Sequence, residues 1–458
     1  MKIDVLVAEI GSTTTLVNAF NRVDTDRPVF FGQGQAPTSV LDGDVRIGLE
    51  GAIRDLCAKK SVDSIEYTEM LATSSAAGGL KMTVHGLVYD MTARAAKEAA
   101  LGAGAILHQV TAGRLRRGDL EKLRGIHPNL IMIAGGVDYG ERDTAVYNAE
   151  MIRSLDLPIP VIYAGNVENQ EEMRLIFRDA KAPLYLVENV YPKIDQLNVE
   201  PARKIIQDAF EHHIVQAPGM EHVRDLVNGP IIPTPGAVME CAKLLYEQIG
   251  DLVVLDVGGA TTDLHSVTAG SEEIARILVS PEPLAKRTVE GDLGVYINMH
   301  NLIESIGQSA LEAELGFAVE PVARSYKAVP KTEQELRFVE RLTKEAVLKA
   351  TERHAGKIRY VYGPSGRQTL AEGKDLSKVK YIIGTGGALT RLPARVRLME
   401  AIAENNRNGM LLFPSKEAKV LVDDDYIMAS LGVLSKVHPA TALHFLEKSL
   451  KIPLSRPE

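Results

Sequence analysis

Three short stretches combine carboxylates with glycines and hydroxyls. Glu9-Ile10-Gly11-Ser12-Thr13-Thr14-Thr15 follows the apolar run Val5-Leu6-Val7. Asp256-Val257-Gly258-Gly259-Ala260-Thr261-Thr262-Asp263 follows Leu252-Val253-Val254-Leu255. Gly384-Thr385-Gly386-Gly387-Ala388 follows Tyr381-Ile382-Ile383. Glycine has no Cβ, so backbone N–H groups beside it can approach an anion closely. The hydroxyls of Ser12, Thr13 and Thr261 add donors. A carboxylate at a strand end can hold hydrated Mg²⁺, which takes a few carboxylates and keeps several waters. This is the equipment for a polyphosphate, and the expected ligand is ATP with Mg²⁺. Gly11, Ser12, Thr13 and Thr14, with Gly258, Gly259, Ala260 and Thr261, are candidates for the phosphates. Gly384, Gly386 and Gly387 are candidates for the rest of the nucleotide. Glu9 and Asp256 are candidates for the metal, partly through water. Asp256 and Asp263 are candidates for catalysis, because phosphoryl transfer depends on positioning the attacking water and stabilising charge.

The first two stretches are one pattern written twice: acid, any residue, glycine, a small residue, any residue, Thr-Thr. Glu9 aligns with Asp256, Gly11 with Gly258, Thr14 with Thr261 and Thr15 with Thr262. Each copy follows an apolar strand, which reads as an internal duplication. One such turn alone is an ordinary hairpin, and one glycine loop alone an ordinary strand-to-helix turn. Two hairpins followed by a strand with a G-x-G-G loop are far more specific. The chain has no G-x-x-x-x-G-K-[ST] loop, and no G-x-G-x-x-G after its first strand with an acid about 20 residues on.

The positioning elements follow from periodicity. Ile3–Phe20 reads as strand, turn, strand; a strand follows around Phe30–Ala36, and Gly43–Lys59 reads as a helix. From about Tyr67 to Val238 strands alternate with helices. Leu130–Ile133 ends in Ala134-Gly135-Gly136, Val161–Tyr163 in Ala164-Gly165-Asn166, and Leu184–Val187 in Glu188-Asn189. Helix-like stretches Thr144–Leu155 and Gln170–Arg178 lie between them. Apolar strands alternating with helices imply a parallel or mixed sheet covered on both faces, with ligand loops at the carboxyl ends. Asp423-Asp424-Asp425 precedes a helix near Tyr426–Gly432, acids at its positive end. The segments expected are 1–79, a first lobe; 80–228, an inserted α/β region; 229–250, a Pro/Gly-rich linker; 251–422, a second lobe; and 423–458, a helical return.

The 458 residues imply two to four domains at roughly 150 residues each. With 52 Lys and Arg against 60 Asp and Glu, the net charge of −8 disfavours a general nucleic-acid surface. Arg114-Leu115-Arg116-Arg117 reads as a solvated helix face, and His212-His213 as an exposed helix end. No apolar run reaches the ~20 residues of a membrane span. The start of the chain lacks a signal-peptide pattern, so the expected location is the cytoplasm. Cys57 and Cys241, 184 positions apart, make no zinc pattern.

At these motifs the chain resembles the actin, Hsp70 and sugar-kinase superfamily. The resemblance implies an α/β fold of duplicated RNase-H-like (actin-like ATPase) lobes around an ATP cleft. Glu9–Thr15 and Asp256–Asp263 would be its two phosphate motifs, Gly384–Ala388 its adenosine motif, and Ala429–Gly432 part of the helix that crosses back between lobes. A closer resemblance runs nearly the whole length. Together with these motifs, Ala134-Gly135-Gly136-Val137-Asp138, Tyr163-Ala164-Gly165-Asn166 and Arg287-Thr288-Val289-Glu290-Gly291-Asp292-Leu293-Gly294 are similar to the glutamate mutase accessory family, GlmL or MutL. That label is shared with an unrelated mismatch-repair protein. Membership implies an ATP-using, chaperone-like factor that protects or reactivates an adenosylcobalamin-dependent mutase, with mutase subunits as partners and a homo-oligomer left open. The inserted region would face the partner through Gly135–Asp138 and Gly165–Asn169. Two departures matter: Glu9 stands where the superfamily usually has Asp, and Leu16 where it often has Lys. Slow hydrolysis in a switch fits these changes better than fast metabolism. A small-molecule kinase, or an ATP-dependent hydrolase of the hydantoinase/oxoprolinase type, is the alternative. An iron–sulfur activase would have to share two thiolates per subunit across a dimer.

Overall fold

The N-terminal apolar run forms β1 (Lys2–Ile10), which turns at Gly11 into β2 (Thr14–Asn21); β3 (Val29–Pro37) follows. Helix α1 (Val45–Lys60) starts where the Asp44 carboxylate accepts the Arg46 N–H, and ends with Lys59 and Lys60 at its negative pole. It leads to β4 (Glu66–Ser74), which pairs parallel to β1. β1 and β2 are buried almost throughout, as strands covered on both faces must be. The computed structural model describes residues 1–11, 13–75, 80–214, 219–363, 366–406 and 409–454.

After β4 the chain enters a region of alternating strands and helices: β5 (Lys81–Gly86), α2 (Arg94–Gly102), β6 (Ile106–Ala112), α3 (Arg117–Ile126), β7 (Leu130–Ile133), α4 (Asp143–Arg153), β8 (Val161–Tyr163), α5 (Gln170–Ile176), β9 (Leu184–Leu186) and α6 (Glu200–Ile214). These five strands form their own parallel sheet in the order β6-β5-β7-β8-β9. It is a doubly wound arrangement, with connections leaving β5 and β7 toward opposite edges. β10 (Ile231–Pro233) then pairs parallel to β4 and completes the first sheet, order β10-β4-β1-β2-β3. Residues 229–250, read as a linker from their Pro/Gly content, hold β10 and the helix Thr234–Ile249. Pro235 lies in that helix's first turn, where a missing N–H costs no bond, so the punctuation starts a helix rather than interrupting one.

The second half repeats the first. β11 (Leu252–Val257), β12 (Thr262–Val267) and β13 (Ala285–Glu290) form an antiparallel meander. β16 (Tyr381–Thr385) and β17 (Lys419–Val422) add on in parallel, giving the order β13-β12-β11-β16-β17. Three antiparallel strands and two parallel ones occur in the same order in both sheets. This is the duplicated RNase-H-like fold. Between β13 and β16 lie the helix Glu333–His354, opened by a Thr332/Glu335 capping box, and the hairpin β14 (Lys357–Gly363) and β15 (Gly366–Glu372). Phe338, Leu342, Ala346 and Ala350 of that helix pack with Val253, Leu255, Val257 and Leu264 into one core. By compactness Met1–Cys241 and Ala429–Ala442 form one unit, and Ala242–Met428 and Leu443–Glu458 the other. Among the described residues no helix is long and apolar enough to cross a membrane.

Candidate functional site

The two acid-glycine turns share a backbone geometry. In the first, Ile10 pairs with Thr15 and the Gly11 N–H donates to Thr14 O at 3.0 Å. In the second, Val257 pairs with Thr262 and the Gly258 N–H donates to Thr261 O at 2.9 Å. A Cβ on Gly11 would meet Thr14 O at 2.7 Å, which is why glycine closes the turn. Each turn is braced at the same carbonyl by the segment leaving the third strand. Gly11 O accepts the Thr38 hydroxyl at 2.8 Å, and Gly258 O accepts the Val295 N–H at 3.2 Å. Thr13 and Thr14 are exposed at the first tip; Ser12 lies outside the described residues.

The second turn is organised so that its acceptors are spent. Gly258 O takes Val295 N, Gly259 O takes Tyr296 N and Ile297 N, Ala260 O takes the Asn298 amide, and Thr261 O takes Gly258 N. Among the described residues none accepts from the N–H groups of Gly259, Ala260 and Thr261. Three consecutive donors backed by satisfied carbonyls are thus available to an anion. Gly294 permits the brace: a Cβ there would stand 2.3 Å from Ala260 O.

Asp256, the penultimate residue of β11, is half-buried and sits against the third motif. Gly386, at φ +81°, lies so close that a Cβ would be 2.3 Å from Asp256 Oδ1 and 2.8 Å from Val257 N. A Cβ on exposed Gly387 would meet nothing within 4 Å, whereas Gly384 makes room for Met399 in the core. The Thr385 hydroxyl donates to Asp423 Oδ2 at 2.9 Å. The same carboxylate accepts the N–H groups of Ile427 (3.2 Å) and Met428 (2.9 Å) and the Ser449 hydroxyl (2.7 Å). The acid expected at the positive end of a helix is therefore Asp423. Burial pushes its pKa upward against these hydrogen bonds.

Asp263 and Glu9 are both held by the polypeptide. Asp263 Oδ1 accepts Arg287 Nε (3.0 Å) and Nη2 (2.6 Å), and Oδ2 accepts the Thr261 hydroxyl (3.1 Å). Both members of this ion pair are buried. Asp263 orders the turn: Oδ1 holds the guanidinium and Oδ2 holds the Thr261 hydroxyl. Glu9 Oε1 accepts the Ser430 hydroxyl (2.5 Å), the Ser430 N–H (3.1 Å) and the Asn18 amide (3.3 Å). No cluster of three or more metal-binding side chains occurs among the described residues, Cys57 and Cys241 included. Magnesium chemistry does not need one, since that ion retains most of its waters.

With this geometry in place, comparison with known proteins decides the family. The family described as MutL protein matches residues 5–450. The chain belongs to the MutL family. "Protein MutL" of Clostridium tetanomorphum is 36% identical over 97% of this chain and 98% of its own length. Among solved structures, a diol dehydratase-reactivating factor in nucleotide-free form aligns over 96% of this chain and all of its own at 10% identity, with a TM-score of 0.40. A glycerol dehydratase reactivase aligns over 94% and 99% at 12% identity, with a TM-score of 0.31.

Sequence reading of this MutL-family chain missed Ser430, Asn18 and Thr38. Ser430 is 421 positions from Glu9, and no local pattern announces such a contact. Asn18 could have been found: it lies two residues beyond Leu16, the cross-strand partner of Glu9, on the same face. The Arg287–Gly294 motif proves to serve the second turn. Arg287 holds Asp263, Gly294 admits the turn's backbone, and Glu290 and Asp292 bind Arg353 at 2.7 Å each. That guanidinium holds the Asp292 carboxyl below its ordinary range.

Proposed function

We propose that this protein binds Mg·ATP through its acid-glycine turns and uses it to reactivate an adenosylcobalamin-dependent mutase such as glutamate (methylaspartate) mutase. The observation that carries the nucleotide reading is the row of N–H donors at Gly259–Thr261 beside Asp256 and Gly386. Three N–H donors suit phosphate oxygens, Asp256 would hold the hydrated metal or orient the attacking water, and the exposed backbone at Gly387 suits the rest of the nucleotide. The Gly11–Thr14 turn supplies the second set of donors by duplication. Glu9 is tied to Ser430 at the start of the helix Met428–Leu434, so metal contact at this acid runs through water. Slow turnover suits such an arrangement, and a slow ATPase is the expected activity. Membership of the MutL family supports the accessory role, on the resemblance to the glutamate mutase accessory proteins. Nucleotide-dependent exchange between conformations would open the mutase and release damaged cobalamin.

The test is reactivation. An inactivated adenosylcobalamin-dependent mutase is mixed with this protein, fresh coenzyme and Mg·ATP. Recovery that needs ATP and is lost with Asp256→Ala supports the proposal. ATP turnover stimulated instead by a small molecule, yielding a phosphorylated or ring-opened product, would replace it with the kinase or hydrolase reading.

A further inference from the structure

The inserted sheet carries a second candidate anion site that the nucleotide chemistry does not use. Where β6 ends, residues 110–117 and Asp119 line a groove of about 930 Å³ whose other wall is Tyr147 and Met151 of α4. That size lies within the range of small-molecule pockets, roughly 300–1,000 Å³. It sits at the carboxyl end of a parallel strand, where ligands of doubly wound sheets bind.

The groove is built rigidly and charged asymmetrically. Buried Asn148 pins the loop from α4, accepting the Leu115 N–H at 2.8 Å and donating to Gly113 O at 3.0 Å. The Gly113 N–H donates to Gly86 O at 2.9 Å, tying the loop to the end of β5. Asp119 accepts the Arg116 N–H at 2.9 Å and so caps α3. On this fixed backbone stand Arg114, Arg116 and Arg117, all exposed. Among the described residues none of the three has a carboxylate within ion-pair distance, whereas Arg124, Arg142, Arg153 and Arg174 of the same sheet's helices and loops each have one. The Arg114 guanidinium lies over the Tyr147 ring, 5.1 Å from its centroid. Arg116 and Arg117 stand at the N-terminus of the ten-residue α3, whose dipole adds to their charge.

We propose that this groove binds the phosphate group of a small phosphate ester, with Arg116, Arg117 and the start of α3 on the phosphate, and Tyr147 and Met151 against the organic part. Guanidinium forks match phosphate geometry and form the stronger, charge-assisted hydrogen bonds. A preformed groove with an aromatic wall fits a compact ester better than an acidic protein surface.

The test titrates phenyl phosphate into the full-length protein, with and without saturating Mg·ATP, alongside phenol and inorganic phosphate. Saturable binding of phenyl phosphate is expected, with competition by inorganic phosphate and none by phenol. The double change Arg116→Ser/Arg117→Ser weakens it by roughly tenfold or more, Tyr147→Leu weakens it less, and Asp256→Ala leaves it unchanged. Arg114→Gln, a milder change, also lowers affinity should the double variant lose its fold. Absence of saturable binding, equal affinity in the arginine variants, or displacement by Mg·ATP would overturn the proposal; the last would assign the ester to the nucleotide turns.

Discussion

Asp256 and Gly386 form the most consequential pair of residues in the second unit. The glycine's φ of +81° and the missing Cβ let a carboxylate lie directly over the loop. Gly386→Ala is expected to cost about 1–3 kcal/mol of stability through backbone strain and to move the Asp256 carboxylate. Mg-dependent ATP turnover and thermal unfolding on the same preparation check this, and unchanged turnover would remove the contact from the mechanism. Arg287 and Asp263 offer a second test. Arg287→Met leaves a buried carboxylate without its cation, a change worth about 3–5 kcal/mol. The double change with Asp263→Leu should recover much of that loss without restoring turnover, as read by denaturant unfolding and ATPase assay. At this scale the sequence announced residue types well. The acids, glycines and threonines of both turns were legible because their chemistry is local. Which carboxylate oxygens are already taken was not legible, because Ser430 and Arg287 reach Glu9 and Asp263 through tertiary packing.

The elements show why the turns hold their shape. The same carbonyl in each copy is braced from the exit of the third strand, by Thr38 in one and Val295 in the other. Gly294→Val would drive a side chain into the Ala260 carbonyl and is expected to abolish Mg·ATP binding while leaving the hairpin β14–β15 and the inserted sheet folded. Calorimetric titration with a circular-dichroism control reads both. The inserted sheet predicts a pH effect. Burial pulls the His85 pKa from 6.5 down to about 4, and its ring nitrogens meet the Thr83 and Thr111 hydroxyls. The unfolded chain takes up this proton below pH 6.5, and the folded one resists until about 4. His85 therefore supports folding above pH 6.5 and loses about 3 kcal/mol as pH falls through that window. Unfolding of His85→Gln measured between pH 7 and 4 should show a shallower loss than wild type; an equal slope would contradict the assignment. His265 and His354, also driven down by burial, act in the same direction in the second unit. Strands and helices with clean periodicity were readable from the sequence. The β14–β15 hairpin was not, since its exposed Tyr360, Val361 and Tyr362 carry no inward-facing alternation. Nor were β10 and its helix, because Pro and Gly begin an element there as readily as they end one.

On the scale of the molecule, two sheets with one strand order express a duplication whose sequence trace is confined to a few residues. Packing can be met by many apolar sequences, so the strands diverge while the turns keep acid, glycine and threonine. The insertion after β4 adds a complete parallel sheet without disturbing that order, since β10 pairs with β4 as though nothing intervened. Strand order within the insertion was beyond sequence reading, because parallel pairing is set by contacts remote in the chain. On the proposed reading, nucleotide binding depends on both acid-glycine turns. Calorimetric titration of Mg·ATP into wild type, Gly11→Val and Gly258→Val tests it most directly. One site per chain is expected, lost in either variant with the fold retained. Two sites per chain, or full binding in one of the variants, would contradict it.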